Sequence, residues 1–377
     1  MSKTYVTIAA FLLSFFHLAG GEAKTVCPSP PWPAWQHFQE RFISTDGRVI
    51  DPSDERKITT SEGQSYALFF ALLNNDQALF QKLLHWTENN LAQGDLSRHL
   101  PAWLWGQTAQ GDWQVLDNNS AADSDLWIAY SLLEAGRLWQ QREYTLLGHL
   151  LAQKIAEHEL RELPGFAYVL LPGPKGFVKD ESWRLNPSYT PPQLFERMRK
   201  QFPDHIQWQN ATDNLANFLV ETSPLGIAPD WVWWYDQQWQ FAPTTNPNLT
   251  PWGSYDAIRV YLWVGMLAKE TTYTETLQQH FSKALAFIDN NKQPVEKVNV
   301  LSGQGEGIGS TGFSAALLPL FGNTSFGAAQ RQRLADASLK QQGYYSMVLQ
   351  LFGQGYDEKR YQFDAAGYLQ PLWTACQ

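Results

Sequence analysis

Apolar residues recur at helical spacing through most of this chain, and they do so in two alternating styles, which leaves few architectures open to it. Three segments are apolar nearly all round: Tyr66-Ala-Leu-Phe-Phe-Ala-Leu-Leu73, Leu126-Trp-Ile-Ala-Tyr-Ser-Leu-Leu133 and Ile258-Arg-Val-Tyr-Leu-Trp-Val-Gly-Met-Leu267. Helices of that kind are buried on every side. The segments that follow them, 77–91, 144–159 and 273–290, carry a polar stripe and belong in an outer layer. Short breaks rich in Pro, Gly, Asn and Asp separate the segments, so neighbours pair as antiparallel αα-hairpins. The periodicity predicts twelve helices, over 33–43, 62–73, 77–91, 121–139, 144–159, 192–201, 211–221, 254–268, 273–290, 311–320, 328–337 and 343–352. Strand-like runs, 166–171 and 231–241, are confined to connections. The fold class is therefore all-α, and about six hairpins closed in a ring make an (α/α) six-hairpin barrel, a toroid of inner helices sheathed by outer ones.

Composition agrees with a packed chain and narrows its partners. A hydrophobic share of 44% with only 17% charged residues supplies a large core. The formal net charge is −9 and no Lys/Arg run exceeds a dipeptide, which argues against nucleic acid and anionic lipid as partners. The 17 Trp are an excess whose flat faces suit either a large core or stacking on sugar rings. At the start, Lys3, an apolar stretch over 6–19 and Gly20-Gly21-Glu22-Ala23 read as a secretory signal, 1–23, whose apolar stretch is shorter than a spanning helix needs, an uncleaved anchor being the other reading. No stable membrane insertion is expected, and 24–377 reads as one domain acting as a monomer. The two cysteines, Cys27 and Cys376, stand at the two ends of the mature chain. In an exported protein such a pair reads as a disulfide, free buried thiols being the other reading, and two thiols are too few for a metal cluster.

If the even-numbered helices form the inner ring, they run parallel and their N-termini share one rim. The second starts Thr59-Thr60-Ser61-Glu62, the fourth Asn118-Asn119-Ser120-Ala121-Ala122-Asp123 and the eighth Trp252-Gly253-Ser254-Tyr255-Asp256, so Glu62, Asp123 and Asp256 converge around one mouth. Each acid taken singly also satisfies a helix start: Thr59-x-x-Glu62 and Ser120-x-x-Asp123 fit a capping box, and first-turn acids are favoured by the helix dipole. Three at one rim, flanked by aromatic and small residues, point instead to chemistry. Paired carboxylates in an aromatic cleft suit glycoside hydrolysis, one protonating the leaving oxygen and another activating water. Trp103, Trp105, Trp183, Tyr189, Trp252 and Tyr255 are candidates for stacking on sugar faces, with core packing as the other reading of each. The eight His are scattered without ligand spacing, so no catalytic metal and no other cofactor is expected. Gly303-Gln-Gly-Glu-Gly-Ile-Gly309 lacks the strand before it and the Lys after it that a nucleotide loop wants, and no Gly-x-Ser-x-Gly elbow occurs.

At this point a resemblance is specific. Ala122-Asp123-Ser124-Asp125-Leu126-Trp127-Ile128-Ala129-Tyr130-Ser131-Leu132-Leu133-Glu134-Ala135, followed by Trp139, resembles the signature of family 8 glycoside hydrolases. Thr60-Ser61-Glu62-Gly63-Gln64-Ser65-Tyr66 and Ser254-Tyr255-Asp256-Ala257-x-Arg259 resemble its other landmarks, and the likeness runs from about Trp32 to Trp373. Gly47-Arg48-Val49-Ile50-Asp51-Pro52, Leu100-Pro101-Ala102-Trp103-Leu104-Trp105-Gly106 and Leu351-Phe352-Gly353-Gln354-Gly355 resemble the periplasmic branch of the family that accompanies bacterial cellulose synthesis. The resemblance implies an (α/α) six-hairpin barrel and inverting hydrolysis of β-glycans, with Glu62 as general acid and Asp256 as the base that activates water. Asp123 would hold the distorted sugar, or in some descriptions act as nucleophile. Tyr255 and Arg259 would orient the base and its water, and Trp105, Trp183 and Tyr189 would contact sugars. One departure is that the small polar residue beside the aspartate sits at Ser124, with Ala122 on the other side.

The function expected is an exported endo-1,4-β-glucanase, periplasmic or secreted, acting on β-1,4-glucan chains and associated functionally with a cellulose synthase complex. Xylan, mixed-linkage glucan or cationic chitosan on the same scaffold is one rival. A non-catalytic glucan-binding protein is a second, and a polysaccharide lyase, which needs cationic subsites that this chain does not gather, is a third.

Overall fold

The computed structural model describes residues 30–375 together with Met1, so the rest of the expected signal segment 1–23 and both cysteines, Cys27 and Cys376, lie outside the described residues. The described chain is mostly helical: α1 Pro33–Phe42, α2 Ser61–Leu73, α3 Gln77–Leu91, α4 Ala122–Leu138, α5 Arg142–His158, α6 Pro192–Gln201, α7 Ile206–Glu221, α8 Ile258–Gly265, α9 Thr274–Ser282, α10 Leu285–Ile288, α11 Thr311–Ala316, α12 Leu318–Phe321, α13 Ser325–Asp336 and α14 Tyr344–Asp357. Burial follows the alternation in the sequence. Every residue of α2 except Glu62 is buried, as is all of α8 and α4 from Ala122 to Gly136. By contrast α3, α5 and α9 each bury one stripe, which for α5 is Gly148, Leu151, Ala152, Ile155 and Ala156.

Consecutive helices pack in pairs, α2 on α3, α4 on α5, α6 on α7 and α8 on α9, and the buried members pack on one another, α2 on α4, α4 on α6, α6 on α8, α8 on α11 and α12, α11 on α14. Aromatic rings close the circuit. The Phe352 ring of α14 lies 4.9 Å from Tyr66 and 4.7 Å from Phe70 of α2, 5.2 Å from Trp127 of α4 and 5.2 Å from Trp263 of α8. Such pairs contribute about 0.5–1.5 kcal/mol each beyond the area they bury. Gly353 lets the α14 backbone press on α11, because a Cβ there would stand 1.9 Å from the Ala315 carbonyl oxygen.

Several predicted helices differ in extent: α7 starts five residues before 211, α13 three before 328 and α14 runs five past 352, and three others divide or start late. The segment expected over 311–320 divides into α11 and α12 at Pro319, which lacks the N–H for an interior helical bond and clashes with the carbonyl four residues back. The one expected over 273–290 divides where successive bonds tighten to the i−3 carbonyl, as in Lys283 N–H to His280 and Ala284 N–H to Phe281. The one expected from 254 begins at Ile258, because the bonds of its first turn tighten to the carbonyl three residues back, Arg259 N–H to Asp256 and Val260 N–H to Ala257.

Strands are short and lie in the connections. Thr59–Thr60, Leu104–Gln107 and Trp113–Asp117 form an antiparallel sheet with Thr59 opposite Trp105. The expected strand over 166–171 is Tyr168–Leu170, paired with Leu160–Glu162. The run over 231–241 is a hairpin, Val232–Tyr235 with Gln238–Gln240, inside a four-stranded sheet that includes Ser182–Leu185. Among the described residues no helix is long and apolar enough to cross a membrane.

Candidate active site

The starts of α2 and α4 are laced together by backbone bonds, Ser61 N–H to Trp103 O and Trp103 N–H to Asn119 O. Neither start uses a capping box. Thr60 caps α2 by accepting from Gly63 N–H at 3.1 Å, while Thr59 is occupied by Arg48 and the Val49 carbonyl. Ser120 donates to Glu159 at 2.6 Å, and Ala121, which precedes α4, has no side-chain cap. Glu62 and Asp123 are thus free of the capping role that each one's spacing allowed.

The three acids meet on one guanidinium. Arg259, 3% exposed, donates Nη1–H to Glu62 Oε2 and Nη2–H to Asp256 Oδ1 at 2.9 Å, and its Nη1 stands 3.8 Å from Asp123 Oδ2. Nη2 also donates to Ser188 Oγ at 3.0 Å, and Nη1 to the Tyr66 hydroxyl at 3.4 Å. Asp123 Oδ1 accepts from the Ser124 N–H and hydroxyl, at 2.7 and 3.2 Å. Exposure divides the cluster: the side chains of Glu62 (24%) and Asp256 (32%) reach solvent, while that of Asp123 (4%) does not.

Burial of so many acids around a single cation leaves protons in the cluster near neutral pH. Asp123 is pushed up to about 7 by burial, with the charges of Glu62 and Asp256 adding to it against the pull of Arg259. Asp256 is pushed up to about 6, again by burial first, then by Asp230 and Glu62, with Arg259 opposing. Burial works against the charge of Arg259, and the surrounding tyrosines and carboxylates outweigh it. Asp123 and Asp256, poised in this range, can exchange protons near neutral pH.

The aromatic candidates distribute unevenly. Trp105 stacks on Trp113 at 5.2 Å, with the Arg48 guanidinium 4.4 Å from one ring and 4.7 Å from the other, on the strand beside the start of α2. Tyr189 lies 5.8 Å from the Arg259 guanidinium. Trp183 pairs with Trp234 across the sheet and packs on the core, so the alternation of the strand turns Arg184, stacked 3.7 Å over Trp231, to the opposite face, where its charge acts with that of Asp256. Tyr255 is 47% exposed and donates its hydroxyl to Glu296 at 2.7 Å, away from the guanidinium it adjoins in sequence. Trp103 is at the surface, and Trp252 lies under the Lys297 ammonium at 4.3 Å.

The profile of glycosyl hydrolases family 8 matches residues 14–359. The chain belongs to that family. Among its relatives, this family 8 hydrolase is 49% identical over 374 residues to an endoglucanase of Salmonella typhi, covering 99% of this chain and 97% of that one. It is 47% identical over 363 residues to an endoglucanase of Escherichia coli O157:H7, with 96% of each chain covered. The crystal structure of an endo-1,4-D-glucanase from Vibrio fischeri ES114 matches with a TM-score of 0.86 at 46% identity, covering 91% of this chain and 99% of that one.

Several members of the site in this family 8 hydrolase escaped the sequence reading. Tyr345, near the start of α14, has a phenol raised by burial and exposed to the charges of Arg259, Glu62, Asp256 and Asp230. The rule that inner helices open on one rim would have pointed to it. Ser188 and Asn186 come from the turn Asn186-Pro187-Ser188-Tyr189, where Asn186 Oδ1 accepts from Ser188 N–H at 3.0 Å. Asp230 has no local signal at all. Among the described residues no group of His, Cys, Asp and Glu is arranged to hold a metal.

Proposed function

We propose that the chain is an inverting endo-1,4-β-glucanase built as an (α/α) six-hairpin barrel. The observation that carries this reading is the gathering of Glu62, Asp123 and Asp256 on the buried Arg259, beside rings suited to sugar faces. The name endoglucanase borne by relatives almost half identical over nearly their whole length supports a β-1,4-glucan as substrate. The pairing of each buried helix with an outer one, and the aromatic circuit through Phe352, support the barrel.

Glu62 donates the proton to the glycosidic oxygen as the bond breaks. Asp256 takes a proton from water on the opposite face of the ring, and a single displacement inverts the anomeric carbon. Arg259 holds the two carboxyls on different nitrogens of one rigid fork; inversion requires them to stand about 6.5–9.5 Å apart, with the water between Asp256 and the sugar. Asp123, buried and pushed up to about 7 by that burial, is only partly ionised at neutral pH and suits hydrogen bonding to a sugar hydroxyl. Trp105 and Tyr189 stack on neighbouring sugars, with Trp183 behind the sheet that carries Arg184. The chemistry calls on no cofactor. Residues 24–377 act as one domain and as a monomer after removal of 1–23, in the periplasm or outside the cell. The leader sequence supports export, and the resemblance of the 47–52 and 100–106 segments supports a place beside cellulose synthesis.

Cellopentaose hydrolysis followed by proton NMR tests the mechanism. The α anomer appears first, and Glu62→Gln retains glucan binding while the rate falls by about 10²–10⁴ or more. A β anomer appearing first would establish a covalent intermediate and promote Asp123 or Asp256 to nucleophile. Reducing-sugar release greater from xylan, mixed-linkage glucan or chitosan than from carboxymethylcellulose would change the substrate, and binding without any cleavage would leave a glucan-binding protein.

A further inference from the structure

Asp230 lies between α7 and the strand Val232–Tyr235, far in sequence from the turn it governs. Its Oδ1 accepts three backbone N–H groups, from Ser254 at 2.8 Å, Asp256 at 3.1 Å and Ala257 at 2.9 Å, and its Oδ2 accepts the Ser254 hydroxyl at 2.5 Å. The segment that carries it is itself fixed. Asp230 N–H donates to Trp252 O at 2.9 Å, and Ala228 N–H donates to the Tyr261 hydroxyl of α8 at 3.0 Å. A Cβ on Gly253 would stand 2.0 Å from the Ala228 carbonyl oxygen, so the two backbones touch with no room for a side chain. One carboxylate therefore does for residues 254–257 what a helix N-cap does for its first turn, but from a different part of the chain and for a turn that ends in the candidate base.

We propose that Asp230 is a positioning residue for hydrolysis, which caps the 254–257 turn leading into α8 and through it aims the Asp256 carboxylate at the attacking water. The proposal rests on the reading of Asp256 as base. Asp230 also acts through charge. The groups facing Asp256 are Arg259 on α8, Glu62 on α2, Asp123 on α4, Arg184 on the strand Ser182–Leu185, Asn186 and Tyr189 in the turn that follows, and Tyr345 on α14. Among these, Asp230 stands with Glu62 in disfavouring ionised Asp256, and Arg259 opposes them. Removing the Asp230 charge lowers the proton affinity of Asp256, so the acidic limb of the pH–rate profile moves to lower pH.

Asp230→Asn separates the two effects, because the amide oxygen still accepts the three N–H groups and its NH₂ meets the Ser254 hydroxyl, while the charge is gone. The acidic limb of kcat/KM for cellopentaose, near pH 6 in the parent, moves to lower pH with the plateau kept within about tenfold. Asp230→Ala removes the cap as well and lowers kcat by about 10²-fold with little change in KM, as expected when a reacting group is displaced by an ångström. Asp256→Asn runs beside them. If it is inactive while both Asp230 variants superpose on the parent, the proposal is overturned and the base stands. An active Asp256→Asn overturns the base and this proposal together. Should Asp230→Ala fail to fold, the isosteric Asp230→Asn decides, and an unmoved limb refutes the proposal.

Discussion

Two residues beyond Asp123, Asp125 faces Glu159 from α5's far end in a part of the protein that excludes water. Both side chains are fully buried, Glu159 Oε1 accepts only from Ser120, and neither oxygen of Asp125 has another partner. Two carboxylates cannot both ionise there. Burial, and then each other's charge and that of Asp123, push Asp125 well up, while burial pushes Glu159 to about 8. Unfolded, both titrate at about 4. Folded, this pair therefore binds more protons than it does unfolded between about pH 4 and 8, and its contribution to stability falls as pH rises through that window. In Asp125→Asn an amide replaces the shared proton, and the decline in urea midpoint between pH 5 and pH 8 becomes shallower. A variant whose midpoints run parallel to the parent's would remove the pair as its source. At this scale the sequence displayed Glu62, Asp123 and Asp256 as helix-start acids, but each also read as a cap. Only the observed partners, Thr60 for α2 and Arg259 for the acids, decided between cap and site.

The elements are joined where charge is buried as well as where rings stack. Glu134 of α4 is fully buried and accepts from Arg137 Nε at 3.0 Å, from Arg197 Nε of α6 at 2.7 Å and from Leu369 N–H at 2.9 Å. The Tyr368 ring lies 5.2 Å from one guanidinium and 4.6 Å from the other, so a single carboxylate ties α4 and α6 to the hairpin of Tyr361–Phe363 and Leu369–Pro371. Glu134→Ala leaves Arg197 buried without its counter-ion and lowers stability by about 3–5 kcal/mol. Hydrogen exchange will show the hairpin amides losing protection before those of α2, and unchanged protection would show that packing alone holds the hairpin. The outer and inner helices were legible because burial on one side or all sides writes a periodicity into the residues. The start of α8 was not, because the bonds of its first turn tighten to i−3 carbonyls, and the carboxylate that caps the 254–257 turn, Asp230, comes from a loop that no local pattern connects to it.

For the whole molecule, the ends of the described chain come together on one residue. Arg360 donates to the carbonyls of Pro30 and Pro31 at 3.2 and 3.0 Å, and its own carbonyl accepts from Leu372 N–H at 2.8 Å. Cys27 and Cys376 lie outside the described residues but only a few positions beyond these anchors. We expect them to be bridged, closing a loop of most of the chain, from 27 to 376. The chain-entropy model gives about 6 kcal/mol for such a loop, as an upper value. Thiol titration in denaturant without reductant will find none, and two thiols per molecule would refute the bridge. The sequence by itself determined that helices alternate between buried and two-faced, because solvent exposure acts on each residue where it stands, and it displayed Glu62 and Asp123 in first turns and Asp256 just before α8. Tertiary structure decided which acids share a cation, that Trp183 faces the core while Arg184 faces Asp256, and that Tyr255 points to Glu296 while Tyr345 adjoins the carboxylates. Those choices depend on partners distant in the chain, where strand register and the geometry of one guanidinium, not local pattern, settle which side chains meet.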